Sequence, residues 1–256
     1  MSCQSPSSAG LVVAWRLLSL SLATPTEERL AEIRLLAEAL AEYELVVNRD
    51  ERSPIEGSAL AALREHANDE VSTLAAAHQR LFGGAVQVAP YEGSYEADPF
   101  RAARVMADVA GFYRAFGADA GGPAAERVDH AGCELEFLAY LGARRLAALE
   151  AGDGEAAERC LEIEEAFLVD HAGRWLPTFF RALGAAAGDG FYALVGLLGD
   201  ELVTAELTRR GLEPAPLGPK RRRLAVEEDA FECGAADLAD PLGAAVDTPQ
   251  PRRRRR

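Results

Sequence analysis

Lysine is nearly missing from this chain of 256 residues: the single one, Lys220, lies in a proline-rich stretch toward the C-terminal end. That leaves no candidate for a buried Schiff-base lysine. Cysteine is scarce too. Cys3, Cys133, Cys160 and Cys233 stand far apart, with no Cys-x-x-Cys pair and no disulfide-style spacing. Such a pattern belongs to a reducing, cytoplasmic compartment. The chain has no Gly-x-Ser-x-Gly elbow, no Gly-x-Gly-x-x-Gly fingerprint and no phosphate loop, so the common hydrolase and nucleotide-binding signatures are missing. Long apolar runs are missing as well. The longest, Leu11 to Ala23, is interrupted by Arg16 and is shorter than the roughly 20 residues a bilayer requires. It reads as a buried first helix, with no export signal and no stable membrane insertion expected. Basic charge is in deficit, 27 Lys and Arg against 41 Asp and Glu, for a net charge of -14. Without a large basic surface there is little to neutralise phosphates, which argues against nucleic acid as a partner. An arginine-bearing peptide suits the charge better.

What is present supports a substantial core: 49% of residues are hydrophobic and 27% charged, which excludes global disorder. Composition divides the chain in three. Residues 1–10 are small and polar and read as a flexible lead-in. Residues 11–212 carry the apolar periodicity. From 213 onward the sequence turns to proline and then to charge, and reads as a disordered tail, 213–256. The tail holds nine bases and eight acids, so its charge is +1 and the body carries -15.

Within the body almost every segment has helical periodicity. Thr26 followed by Glu27 and Glu28 is a helix start, with a capping hydroxyl and early acids. Leu30, Ile33, Ala37 and Leu40 then recur at three- and four-residue steps. Further helices are expected over 58–82, 98–116, 129–150, 155–184 and 191–210. Val86-Gln87-Val88 is the one alternating stretch, too short to make a sheet. No solenoid repeat is present. The expected class is all-α, one bundle-like domain.

Three segments could carry chemistry. Residues 126–141, ERVDHAGCELEFLAYL, put Asp129 and His130 at a helix start. There Asp129 either caps backbone N–H groups or, with His130, faces a groove. A second pair, Asp170-His171, invites a helical metal-dependent hydrolase as the alternative function. Its spacing is poor: neither histidine has glutamate three positions before it, and each Asp-His order is the reverse of the phosphohydrolase one. Cys133 and Cys160 fall beside apolar residues, where packing is the ordinary explanation. Residues 88–100, VAPYEGSYEADPF, form a loop bearing Tyr91, Tyr95 and Phe100, flat contact area with little rotamer entropy to lose. These tyrosines either plug the end of the bundle or, near Asp129 and His130, form an apolar groove with acidic ends.

In this order the segments resemble the TorD/DmsD/NarJ family of redox-enzyme maturation chaperones. RLLSLSLATPTEERLAEI is similar to the family's opening helix and its proline break. AHQRLFGGAVQVAPYEGSYE resembles the Tyr-x-x-Leu-Phe helix end and Pro-Tyr-Glu-Ser-x-Tyr loop, and VMADVAGFYRAFG the helix leading to Phe-Tyr-x-x-x-Gly. The paired ERVDHAGCELEFLAYL and FLVDHAGRWLPTFFRAL resemble the Glu-x-x-Asp-His helix and the later Asp-His-x-x-x-Trp helix. The match covers about residues 11–210. Departures are Val128 where proline is frequent, Gly93 where serine is common and His78 where tyrosine is common. The resemblance implies an all-helical TorD-like cytoplasmic chaperone, not an enzyme, holding no cofactor or metal of its own. It further implies a client, the catalytic-subunit precursor of a molybdenum oxidoreductase, bound through its twin-arginine leader while the molybdopterin cofactor is inserted. The residues carried over to peptide binding are Tyr91, Tyr95, Glu126, Asp129 and His130. Monomer and homodimer are both compatible with the sequence.

Overall fold

A computed structural model describes residues 8–43, 46–47, 55–118 and 126–217. They form α1 (Ser8–Ser21), α2 (Glu27–Ala41), a two-residue parallel pair β1 (Val46–Val47) and β2 (Ile55–Glu56), α3 (Gly57–His66) and α4 (Val71–Phe82). A 3-10 turn (Glu92–Tyr95), α5 (Pro99–Ala115), α6 (Ala131–Glu150), α7 (Gly154–Phe167), a π turn (Leu168–Ala172), α8 (Gly173–Ala187) and α9 (Gly190–Arg210) follow. The described architecture is all-α apart from that short β pair. No described helix is long and apolar enough to cross a membrane.

Side-chain caps mark several helix starts. The Thr26 hydroxyl accepts from Arg29 N–H at 3.2 Å, Asp98 caps α5 at Phe100 N–H, and Asp153 caps α7 at Ala156 N–H; each satisfies an orphan donor of a first turn. α9 ends at Gly211, whose φ of +66° suits glycine. The segment expected as one helix over 58–82 is two helices, α3 and α4, parted at Ala67–Glu70. The segment 155–184 is helical throughout but contains the π turn.

α1 is buried on nearly every side, through Leu11, Ala14, Trp15, Leu17 and Leu18 among others. It packs on α2 and α6, while α8 packs on α9, α6 on α7 and α3 on α9. The α1–α6 contact is close because Gly142 has no side chain: a Cβ there would lie 2.7 Å from Val12 Cγ2. The Ser19 hydroxyl donates to the Gly132 carbonyl at 2.8 Å in the same contact. Trp15, Phe167, Trp175, Phe179 and Phe180 are the largest fully buried side chains.

The edges of the folded body differ from expectation. α1 begins at Ser8, inside the stretch expected to be a flexible lead-in, because Gly10 and Leu11 are already buried. At the other end, residues 212–217 lie along α8: Arg174 Nε donates to the Ala215 carbonyl at 3.2 Å, and Leu212 and Leu217 pack against the core. The tail boundary expected at 213 therefore falls too early. Residues 1–7 and 218–256, the rest of the expected lead-in and tail, lie outside the described residues.

Candidate functional site

The loop before α5 is stitched to the start of α6. Pro90 O accepts from Ala131 N–H and Asp129 O accepts from Glu92 N–H, each at 2.9 Å, so Tyr91 and His130 form one antiparallel bridge. The Asp129 carboxylate lies beneath it, fully buried, accepting from Gly93 N–H at 3.0 Å and from Arg127 Nε and Nη2 at 3.0 and 2.8 Å. Gly93 is tightly held: a Cβ on it would lie 3.1 Å from Asp129 Oδ2 and 3.3 Å from Ala102 Cβ.

Asp129 is thus not the cap of α6. That part falls to His130, whose Nδ1 accepts from Gly132 N–H at 3.0 Å. Burial, the largest influence, lowers the pKa of His130, and an accepting Nδ1 places the neutral ring's proton on Nε2. The His130 ring meets the Tyr91 ring edge-on with centroids 5.4 Å apart. Over Tyr91 the Arg127 guanidinium sits 4.3 Å from the ring centroid, and the Tyr91 hydroxyl donates to Glu126 at 3.3 Å. Glu126 and Arg127 are exposed. His78 of α4 borders this face electrostatically, through Glu126 and His130; its pKa too is lowered by burial, and its Nε2 lies 3.2 Å from Leu22 O.

Of the five residues carried over to peptide binding, Tyr91, Glu126, Asp129 and His130 come together. Tyr95 does not join them. It is buried with its ring 5.2 Å from that of Trp175, and burial pushes its hydroxyl pKa up to about 12.

Behind the loop lies a second, buried polar layer. Glu92 is fully buried and accepts from His171 Nδ1 at 3.0 Å and from Arg174 Nη1 at 3.3 Å. Arg174 Nη2 also reaches Glu96 at 2.8 Å. Trp175 Nε1–H donates to the buried Glu134 at 2.9 Å. The π turn supplies His171 here, an extra residue per turn of the kind that recurs at functional sites. A groove of about 820 Å³ opens beside this layer, between α5 and the π turn, with Phe112, Val105, Phe116 and Ile163 as apolar lining and Arg104, Asp108 and Asp170 as charged lining. Glu92 carries its signal in the sequence, inside the Pro-Tyr-Glu loop. The parts of Arg127, Glu134 and Arg174 rest on partners that spacing alone does not reveal.

The two Asp-His pairs do different work, and the hydrolase alternative finds no support in them. Asp129 is occupied by Arg127 and Gly93, His130 Nδ1 by Gly132, and His171 Nδ1 by Glu92, while Asp170 is exposed. Among the described residues no group of three or more His, Cys, Asp or Glu has the arrangement to hold a metal ion. Cys160 is buried and Cys133 half-buried, the latter with its thiol pushed up to about 12 by burial. That is the opposite of an activated nucleophile.

An all-helical body presenting a pinned aromatic loop belongs to a known structural class. The fold matches the crystal structure of a protein assigned to redox enzyme maturation in Archaeoglobus fulgidus, with a TM-score of 0.51, 17% identity, and coverage of 80% of this chain and 98% of that one. Residues 25–181 match the nitrate reductase delta subunit family. The chain belongs to this family, the NarJ/TorD type of maturation chaperone. Its relatives include the selenate reductase assembly chaperone protein of Thauera selenatis, 37% identical over 136 residues, which are 53% of this chain and 68% of the relative. The chlorate reductase assembly chaperone protein of Ideonella dechloratans is 34% identical over 145 residues, 56% of this chain and 72% of that one. Family and relatives are chaperones rather than catalysts.

Proposed function

We propose that this protein is a cytoplasmic assembly chaperone dedicated to the catalytic-subunit precursor of a molybdopterin-dependent oxidoreductase. It binds and holds the apo subunit, through its twin-arginine leader, until the cofactor is inserted, and catalyses no reaction itself. Membership of the chaperone family supports the general part of this reading. The selenate and chlorate reductases named for its relatives indicate the class of client. The leader as the contact rests on the chemistry of one face, and the observation that carries it is the Glu126–Tyr91–Arg127 cluster over the bridge to His130.

Glu126 offers the client a carboxylate for an arginine's charge, and Tyr91 an aromatic ring on which Arg127 already stacks as a client arginine would on displacing it. Asp129 and His130 shape the same face from beneath, while Tyr95 fixes the loop from its other side, against Trp175. The body's charge of -15 draws a cationic leader toward it. The groove beside α5 suits the leader's apolar run.

Titration calorimetry of the full chain tests this, with synthetic twin-arginine leader peptides of molybdopterin oxidoreductases encoded in the same genome. Binding is expected to weaken with salt, because charge attraction is screened beyond about 8 Å at physiological ionic strength. Glu126→Gln, at an exposed position, should lower affinity about threefold to tenfold with the melting temperature unchanged. No binding of any co-encoded leader would overturn the leader part of the reading, and pull-down of the apo subunit without its leader would then identify the other contact.

A further inference from the structure

Three carboxyl groups of the loop–helix region are fully buried: Glu92, Asp129 and Glu134. Asp129 has three donors and Glu92 has two. Glu134 is short of one. Its Oε2 accepts from Trp175, but its Oε1 is sealed from solvent and meets no donor. Besides Trp175, the side chain that bears on it as a hydrogen-bonding neighbour is Glu92, whose carboxylate is also an acceptor. Two carboxylate oxygens cannot satisfy one another unless a proton lies between them.

Charge leads to the same arrangement. Arg174 and the His171 ring already lie against Glu92, and Arg174 is shared with Glu96. Asp129 adds a further negative charge nearby. Ionising Glu134 as well would leave a buried charge without a cation of its own, which proteins avoid by protonation. We propose that Glu134 is a positioning residue, a neutral carboxylic acid that donates from Oε1 to Glu92 and so holds the Pro90–Glu96 loop in its client-binding shape. The client half of this statement rests on the loop being the contact, as argued above.

The ionisable surroundings agree. Burial pushes the Glu134 pKa well above the usual carboxylate range, and the charges of Glu92 and Asp129 push the same way, against the Trp175 hydrogen bond. Tyr113 from α5 and Cys133 from α6 are both raised by burial and bring no charge to the site. Glu92 follows Tyr91 directly, and its N–H, with that of Gly93, pins the loop to Asp129. Loss of the Glu134 proton would set like charges side by side and loosen both bonds.

The discriminating variants are Glu134→Gln, which keeps an acceptor for Trp175 and an N–H donor for Glu92, and Glu134→Ala, which keeps neither. In the full chain, infrared difference spectra at neutral pH should show the C=O band of a protonated carboxylic acid that is present in the wild type and missing in Glu134→Gln. Amide exchange should show protection of Glu92 and Gly93 N–H that declines with rising pH in the wild type and stays level in Glu134→Gln. The twin-arginine leader peptide that binds the wild type should bind Glu134→Gln within about twofold of wild type and Glu134→Ala about tenfold more weakly. A missing acid band, or loop protection lost equally in both variants, overturns the assignment. Should Glu134→Gln fail to fold, loop protection in the wild type that does not change with pH overturns it as well. If the acid band and the loop protection behave as stated but no leader binds in any form, the proton stands and the client half falls.

Discussion

Replacing Asp129 separates two parts that a buried aspartate at a helix start could play. As an N-cap, Asp129 could be exchanged for asparagine at little cost, since the two residues cap about equally well. The structure gives the cap to His130 and makes Asp129 the anchor of a loop 36 residues away in sequence. Asp129→Ala strands the buried Gly93 N–H, costing about 1–3 kcal/mol. Losing the Arg127 pair adds about 0–1 kcal/mol, a discounted figure because Arg127 is 46% exposed. The total is about 1–4 kcal/mol, within the ~5–15 kcal/mol by which a domain is stable. Asp129→Asn should cost less, about 0–1 kcal/mol, because its oxygen can keep Gly93 N–H while its NH₂ faces only the exposed Arg127 Nε, donor against donor. Urea unfolding followed by circular dichroism measures all three forms, together with Arg127→Ala and the double variant. The double variant should match Asp129→Ala within about 0.5 kcal/mol, since one change already removes the pair. If Asp129→Ala is as stable as wild type, the anchor reasoning is wrong.

Two more perturbations follow from the same geometry. His130 has its pKa lowered by burial, so below the ordinary imidazole value the unfolded chain binds more protons and stability falls with pH, by at most about 1.4 kcal/mol per unit. His130→Asn keeps a capping side chain but cannot titrate there, so unfolding curves between about pH 5 and 7 should show a shallower acid limb than wild type; an unchanged limb refutes this. Gly196→Ala should destabilise by about 1–3 kcal/mol, because its Cβ would lie 2.5 Å from Gly184 N and 2.7 Å from Phe180 O where α9 crosses α8. Gly111→Ala, with nothing within 4 Å of its Cβ, is the control and should stabilise its helix by about 0.5–1 kcal/mol.

Much was settled by signals that act within a turn or two of chain. Apolar residues at three- and four-residue steps specified the helices, because an α-helix returns to the same face after 3.6 residues. Thr26 with Glu27 and Glu28 marked the start of α2 because a side-chain oxygen reaches an N–H three residues on. The shortage of basic residues and the missing catalytic signatures narrowed the function, and the ordered motifs at 88–100, 126–141 and 167–183 pointed to the family. Packing decided the rest. Asp129 and His130 are adjacent and both able to cap, and the choice between them turned on Gly93 and Arg127. Tyr91 and Tyr95 share one loop, yet the 3-10 turn between them sends one to the Glu126 face and the other under Trp175. Glu92 finds His171 at a separation of 79 residues, and Glu134 finds Trp175 at 41. No periodicity encodes such pairs, because burial and the donors left over when α6, α8 and the loop close on one another select them only once the chain is folded.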